Sequence, residues 1–174
     1  RSSSNINTIY TLFSNSLIGD PSWDHLEMNL KKLCGRIKTS QIKFTSCVGI
    51  ISGGAFITKY VAKNLGVDNY YYMDLKKYGK SEGYMDRIGN FLFSDHVKVK
   101  KGLPKSFRGE GNVLVIDDQS MSGSTLVKAC KIIKKRNPSC HVFTAVISKA
   151  SDKYSPNFWV QDKLQLTFPW GCDA

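Results

Sequence analysis

Apolar positions along the chain follow two rhythms. Residues 44–51, 69–75, 113–116 and 141–148 are short runs rich in branched and aromatic side chains. Runs of this kind predict strands buried on both faces, as in a parallel sheet. Flanking them, the apolar spacing changes to three and four. Leu26, Leu30, Leu33, Cys34 and Ile37 form one set, Ile57, Tyr60, Val61 and Leu65 a second, and Leu126, Ala129, Cys130 and Ile133 a third. Each set lays an apolar stripe along an amphipathic helix. Punctuation agrees with the pattern. Asp20-Pro21 predicts a helix start with Asp20 as cap and Pro21 in the first turn, Gly66 closes the second helix, and Pro138 excludes Asn137 from the third. Strands alternating with helices predict an α/β fold built on a parallel sheet.

Two strand ends carry candidate chemistry. The run Val113–Ile116 leads into paired acids, Asp117 and Asp118, and then into a loop of small and hydroxyl residues: Ser120, Ser122, Gly123, Ser124 and Thr125. Ligands of open α/β sheets bind outside the carboxyl ends of strands, and the free N–H groups of a helix start favour a phosphate. Carboxylates at the same place accept hydrogen bonds from vicinal hydroxyls. Acids first and phosphate loop second suggest a ribose 5-phosphate. One βα unit earlier, residues 44–51 run into Ser52, Gly53 and Gly54 before the second helix. That turn is also phosphate-compatible, although glycines at such turns are often purely steric.

Val-Ile-Asp-Asp-x-x-x-Ser-Gly-Ser-Thr, ending at Thr125, closely resembles the phosphoribosyl pyrophosphate (PRPP) motif of type I phosphoribosyltransferases. The resemblance implies one domain over residues 1–174, a parallel-sheet fold with flanking helices, a loose arm at 1–9, a mobile flap at 76–111 and a small hood at 154–174. It implies transfer of a 5-phosphoribosyl group from PRPP to a nitrogenous base, with Mg²⁺ held mainly through substrate. Asp117 and Asp118 would take the ribose hydroxyls and at most assist the metal. The loop Met121, Ser122, Gly123, Ser124 and Thr125 would hold the 5′-phosphate, and Ser52, Gly53, Gly54, Lys76 and Lys77 would face the pyrophosphate. The Pro-Trp ending is similar to the hood of xanthine- and hypoxanthine-type enzymes, which gives Phe168 and Trp170 to the base. A homodimer, purine salvage and a cytoplasmic setting complete the expectation.

Two positions depart from the family pattern. Ser52 stands where a basic residue often precedes the glycines. Met121 stands where 6-oxopurine members carry an aspartate that handles the proton on purine N7. The adenine and orotate enzymes also lack that acid, so Met121 leaves catalysis open while arguing against ordinary guanine or hypoxanthine salvage.

Composition narrows the partners without choosing among them. The 174 residues suffice for a substantial core, the apolar runs are too short to span a membrane, and no charged-then-apolar leader follows Arg1. Cys34, Cys47, Cys130, Cys140 and Cys172 form no Cys-x-x-Cys spacing and read as reduced thiols; His25, His96 and His141 suggest no metal cluster. The formal charge of +11 attracts polyanions, whether a phosphorylated substrate or a nucleic acid. Three functions follow: an active transferase, a PRPP- or nucleotide-binding regulator without turnover, and a protein that binds nucleic acid or another protein through the basic flap.

Overall fold

The computed structural model of the protein describes residues 18–19, 22–51, 53–77, 97–162, 165–166 and 168. In chain order the elements are β1 (Ile18–Gly19), α1 (Trp23–Thr39), β2 (Ser46–Ile51), α2 (Gly53–Leu65), β3 (Tyr70–Lys77), β4 (Val97–Lys101), β5 (Asn112–Ser120), α3 (Ser124–Arg136), β6 (His141–Lys149), β7 (Gln161–Asp162) and β8 (Gln165–Leu166). Six strands form one sheet in the order β4-β3-β2-β5-β6-β7. All its pairs are parallel except β3–β4, and a separate parallel pair joins β1 to β8. This is the mostly parallel α/β architecture expected.

Two apolar layers sandwich the sheet. On one face Leu114, Ile116, Ala145 and Ile147 pack with Leu30, Leu33 and Ile37 of α1 and Ile57 and Val61 of α2. On the other, Val48, Val113, Val115 and Val146 pack with Leu126, Ala129 and Ile133 of α3. The continuous apolar run of β5 thus feeds both layers, which is why it lacks polar alternation. Cys34, Cys47, Cys130 and Cys140 are free thiols, and burial pushes Cys47 up to about 12.

The boundaries differ from the expectation at three places. α1 starts at Trp23 with Ser22 as its cap, the Ser22 hydroxyl accepting from the His25 amide at 3.2 Å, so the cap lies two residues beyond Asp20. β5 continues through both acids to Ser120, because β6 extends beside it and pairs Asp117 with Val146 and Ser120 with Lys149. Residues 97–111, read as the far part of a flap, belong to the body instead. β4 pairs with β3, while Leu103 and Phe107 are buried, Phe107 meeting Tyr71 edge-on at 5.1 Å. Between these anchors, residues 78–96 lie outside the described residues, as do Asp20, Pro21 and the arm at 1–9. The other helix ends fall as the glycine and proline signals require. Gly66, at φ 69°, follows α2, with the Val67 amide reaching back to the Ala62 carbonyl at 2.9 Å, and Asn137 caps α3.

Candidate functional site

Three parallel strands, β2, β5 and β6, end together at one edge of the sheet, and the chemistry predicted from sequence collects there. Asp118 stands against the first turn of α2. A Cβ built on Gly53 would lie 1.6 Å from Asp118 Oδ2, and one on Gly54 would lie 2.6 Å from the Ile116 carbonyl oxygen. At Gly54 the neighbour is the strand backbone itself, so that glycine is sterically required, whereas at Gly53 it is the Asp118 side chain, which a methyl group would displace. Gly49 of β2 plays a similar part deeper in: its Cβ would lie 2.2 Å from Thr58 Oγ1, and the Thr58 hydroxyl donates to the Gly54 carbonyl at 2.5 Å. The glycine turn and the acid pair, distant in sequence, form one surface.

Each carboxylate is braced by the amide that follows it. Asp117 Oδ1 accepts from the Asp118 amide at 2.9 Å, and Asp118 Oδ1 accepts from the Gln119 amide at 2.6 Å. Burial first, and the Asp118 charge second, raise the Asp117 carboxyl well above the ordinary aspartate value. Two carboxylates at one strand end repel, and a donor or cation between them relieves that repulsion.

Beyond the acids a hollow of about 110 Å³ opens between Asp117 and the loop from Gln119 to Leu126. Gly123 turns the chain into α3 with φ 78°, and a Cβ there would meet Tyr154 Cβ at 2.1 Å. The first helical bond from this turn runs from the Val127 amide to the Gly123 carbonyl at 2.9 Å. N–H groups ahead of it have no intrahelical acceptor, which suits an anion. The Ser122 and Ser124 hydroxyls lie 3.0 Å apart, and buried Ser120 Oγ has no hydrogen-bond partner among the described residues. From behind, the Ala150 amide donates to the Ser120 carbonyl at 2.9 Å and the Ser151 hydroxyl donates to the Met121 carbonyl. Met121 itself is 48% exposed beside the hollow.

Of the other predicted residues, Lys76 is exposed near the end of β3, and Lys77 is the strand's last residue. Phe168 is buried with Leu166 and Phe158 in the layer under α1, so its ring serves the core. Ser52 and Trp170 lie outside the described residues. Two residues escaped the sequence reading. Gln119 Oε1 accepts from the Leu166 amide at 3.3 Å and ties the acid strand to β8, although it occupies a spacer position of the motif. Lys149 ends β6 beside Ser120 and is buried. Its ammonium pairs with Asp152 at 3.0 Å and Asp162 at 3.2 Å and stands 5.0 Å from the centre of the Trp159 ring. A single lysine after an apolar run carries no signal until the register puts it beside Ser120.

The sequence does not significantly match any curated protein. Among solved structures, a purine phosphoribosyltransferase from Pyrococcus horikoshii is 17% identical, with TM-score 0.67, 86% of this chain and 90% of that one covered. The Helicobacter pylori xanthine-guanine-hypoxanthine phosphoribosyltransferase is 15% identical, with TM-score 0.70 and coverage of 87% and 92%. A hypothetical protein from Neisseria gonorrhoeae, solved with bound ppGpp, is 22% identical, with TM-score 0.66 and coverage of 88% and 87%. These likenesses establish the type I phosphoribosyltransferase fold. The family model for the phosphoribosyl transferase domain matches residues 22–174, and the chain belongs to that family.

Proposed function

We propose that the protein binds PRPP across the carboxyl ends of β2 and β5 and transfers its 5-phosphoribosyl group to a nitrogenous base, a purine-like base being favoured. The observation that carries this reading is the direct apposition of Gly53 backbone and the Asp118 carboxylate. It joins the glycine turn, the acids and the hydroxyl loop in the order pyrophosphate, ribose and 5′-phosphate. Asp117 and Asp118 would accept from the ribose hydroxyls, and the loop from Met121 to Thr125 would surround the phosphate. Gly53, Gly54 and Lys76, with Ser52 and Lys77, would face the pyrophosphate.

In such a transfer a ring nitrogen of the base bonds to C1, the bond from C1 to the pyrophosphate oxygen breaks, and the base gives up a proton. Held ends and an oriented ribose supply most of what this displacement needs. No group of three or more His, Cys, Asp or Glu suited to a metal occurs among the described residues. Two carboxylates at a phosphate site do fit Mg²⁺, which keeps waters and substrate oxygens and takes one or two carboxylates. When bound, the ion would neutralise the leaving pyrophosphate.

Met121 favours a second reading, a PRPP- or nucleotide-binding regulator with little turnover. Its exposed thioether beside the hollow can move no proton, and the Neisseria structure shows that a related fold holds ppGpp. Release of pyrophosphate from PRPP and Mg²⁺, with guanine, hypoxanthine, xanthine, adenine and orotate offered in turn, separates the two. Turnover with any base supports transfer. A PRPP-dependent rise in melting temperature without turnover supports the regulator, and no rise at all would sink both. We also propose that the protein works in the cytoplasm as a homodimer.

A further inference from the structure

The loop after the acids has few apolar anchors of its own. Met121 is exposed, Ser122, Ser124 and Thr125 are half-buried, and Gly123 carries no side chain. Support reaches it from the segment that follows β6. The Ala150 amide donates to the Ser120 carbonyl at 2.9 Å, and the Ser151 hydroxyl donates to the Met121 carbonyl. Three residues further on, Tyr154 lies against Gly123: a Cβ on that glycine would stand 2.1 Å from Tyr154 Cβ and 2.2 Å from its Cγ. One short segment thus meets Ser120, Met121 and Gly123 from behind.

Tyr154 is itself fixed at its far end. Its hydroxyl lies 3.2 Å from Oγ1 of Thr144, a buried residue of β6. The Thr144 hydroxyl donates to Asn157 Oδ1 at 3.2 Å and accepts from the Asn157 amide at 3.2 Å. With its one proton committed to Asn157, Thr144 can only accept from Tyr154, so the phenol is the donor. The tyrosine side chain is held between a central strand and the turn of the loop. At the start of the segment the Lys149 ammonium pairs with Asp152 and with Asp162 of β7, which fixes the turn that carries Ser151. Groups that must meet a ligand precisely need such support behind them. We propose that Tyr154, with Ser151, is a positioning residue that holds the loop amides in place for a sugar 5′-phosphate. This rests on the reading of the loop as the phosphate site and adds the groups that set its shape.

The test is isothermal titration calorimetry of the full chain with ribose 5-phosphate and, separately, with pyrophosphate and Mg²⁺. A loop amide drawn away from the phosphate forfeits a charge-assisted hydrogen bond, so Tyr154→Ala should weaken ribose 5-phosphate binding about tenfold or more. Tyr154→Phe keeps the ring against Gly123 and should bind within about threefold of the parent. Ser151→Ala, a small change near the surface, should weaken ribose 5-phosphate about threefold or more, and it decides alone if Tyr154→Ala does not fold. Pyrophosphate should bind every variant as it binds the parent. Leu103→Ala controls for general loosening: Leu103 is a buried residue whose carbonyl accepts from Arg136, at the opposite end of α3 from the loop. It should lower the melting temperature and leave both affinities unchanged. Parent-like ribose 5-phosphate binding by Tyr154→Ala and Ser151→Ala overturns the proposal. So does an equal loss for both probes, or the same loss in Leu103→Ala. A parent that binds pyrophosphate but not ribose 5-phosphate would sink the phosphate reading of the loop itself, and that failure shows before any variant is made.

Discussion

Gly53 and Asp118 touch so closely that a single methyl group on Gly53 would overlap the carboxylate, its carbon 1.6 Å from Oδ2. The obstacle is the end of a side chain, which can rotate away. Gly53→Ala is therefore expected to fold with little loss of stability while turning Asp118 out of the ribose position, removing most of the PRPP-dependent rise in melting temperature. Gly54→Ala meets the Ile116 backbone instead and should cost about 1–3 kcal/mol of stability. Melting curves with and without PRPP separate the two effects. A Gly53→Ala protein that responds to PRPP like the parent would break the link between α2 and the acids.

Asp117 links the same site to pH. An acid held above its ordinary value favours its neutral form in the folded state. Its contribution is present below the ordinary value of 3.8 and is lost as pH rises through the raised value. At neutral pH, then, Asp117→Asn should raise the melting temperature of the ligand-free protein while abolishing its response to PRPP. A gain of about 1 kcal/mol would appear as roughly 2–4 °C in a chain of this size. The advantage should vanish below about pH 4. Melting curves from pH 4 to 8 for both proteins decide it, and parallel curves would refute the account.

Much of the fold was legible because its signals are local. The apolar runs gave β5 and β6, the three-and-four spacing gave the helices, and Gly66 and Pro138 marked two ends. The acid pair and the hydroxyl loop were legible for the same reason, being contiguous with β5. What escaped depends on register and packing. The lengthening of β5 to Ser120 is dictated by its partner β6, and the place of Lys149 by the same ladder. Residues 97–111 look like loop because β4 is a run of lysines, yet pairing with β3 and the burial of Leu103 and Phe107 fix them. Ser22 replaced Asp20 as helix cap because either residue type can cap, and only geometry chooses.

Gly123 tests the hydroxyl loop by another route. Its φ of 78° is left-handed, and a side chain there would run into Tyr154 Cβ at 2.1 Å. The conformation alone costs a non-glycine residue about 1–2 kcal/mol, and the overlap adds to it. Gly123→Ala should lower stability by more than Gly53→Ala does, reversing the order expected for their effects on the ribose site. Chemical denaturation of both variants measures the comparison. Equal losses would mean that the Tyr154 contact yields without cost.

Met121 bears on the acceptor. A carboxylate at this exposed position would offer a charge-assisted hydrogen bond to a protonated ring nitrogen, whereas a thioether offers polarisable apolar surface. We expect weak or no turnover of guanine and hypoxanthine by the parent and a gain of about tenfold or more in Met121→Asp. Initial rates under saturating PRPP give the answer, and brisk guanine turnover by the parent would place proton handling elsewhere.

The lysines of β4 have a consequence for solubility. Among the described residues β4 is the outermost strand of the sheet, and its outer edge could accept a strand from another molecule. Charged side chains, lysine above all, are how soluble proteins block that edge-to-edge pairing. Reversing Lys98 and Lys101 to glutamate keeps the edge guarded, whereas neutral replacements would remove the guard. Lys98→Val with Lys101→Val should therefore scatter light increasingly with protein concentration, while the glutamate pair stays clear. On this account the same short run of charge would keep the molecule from polymerising on itself.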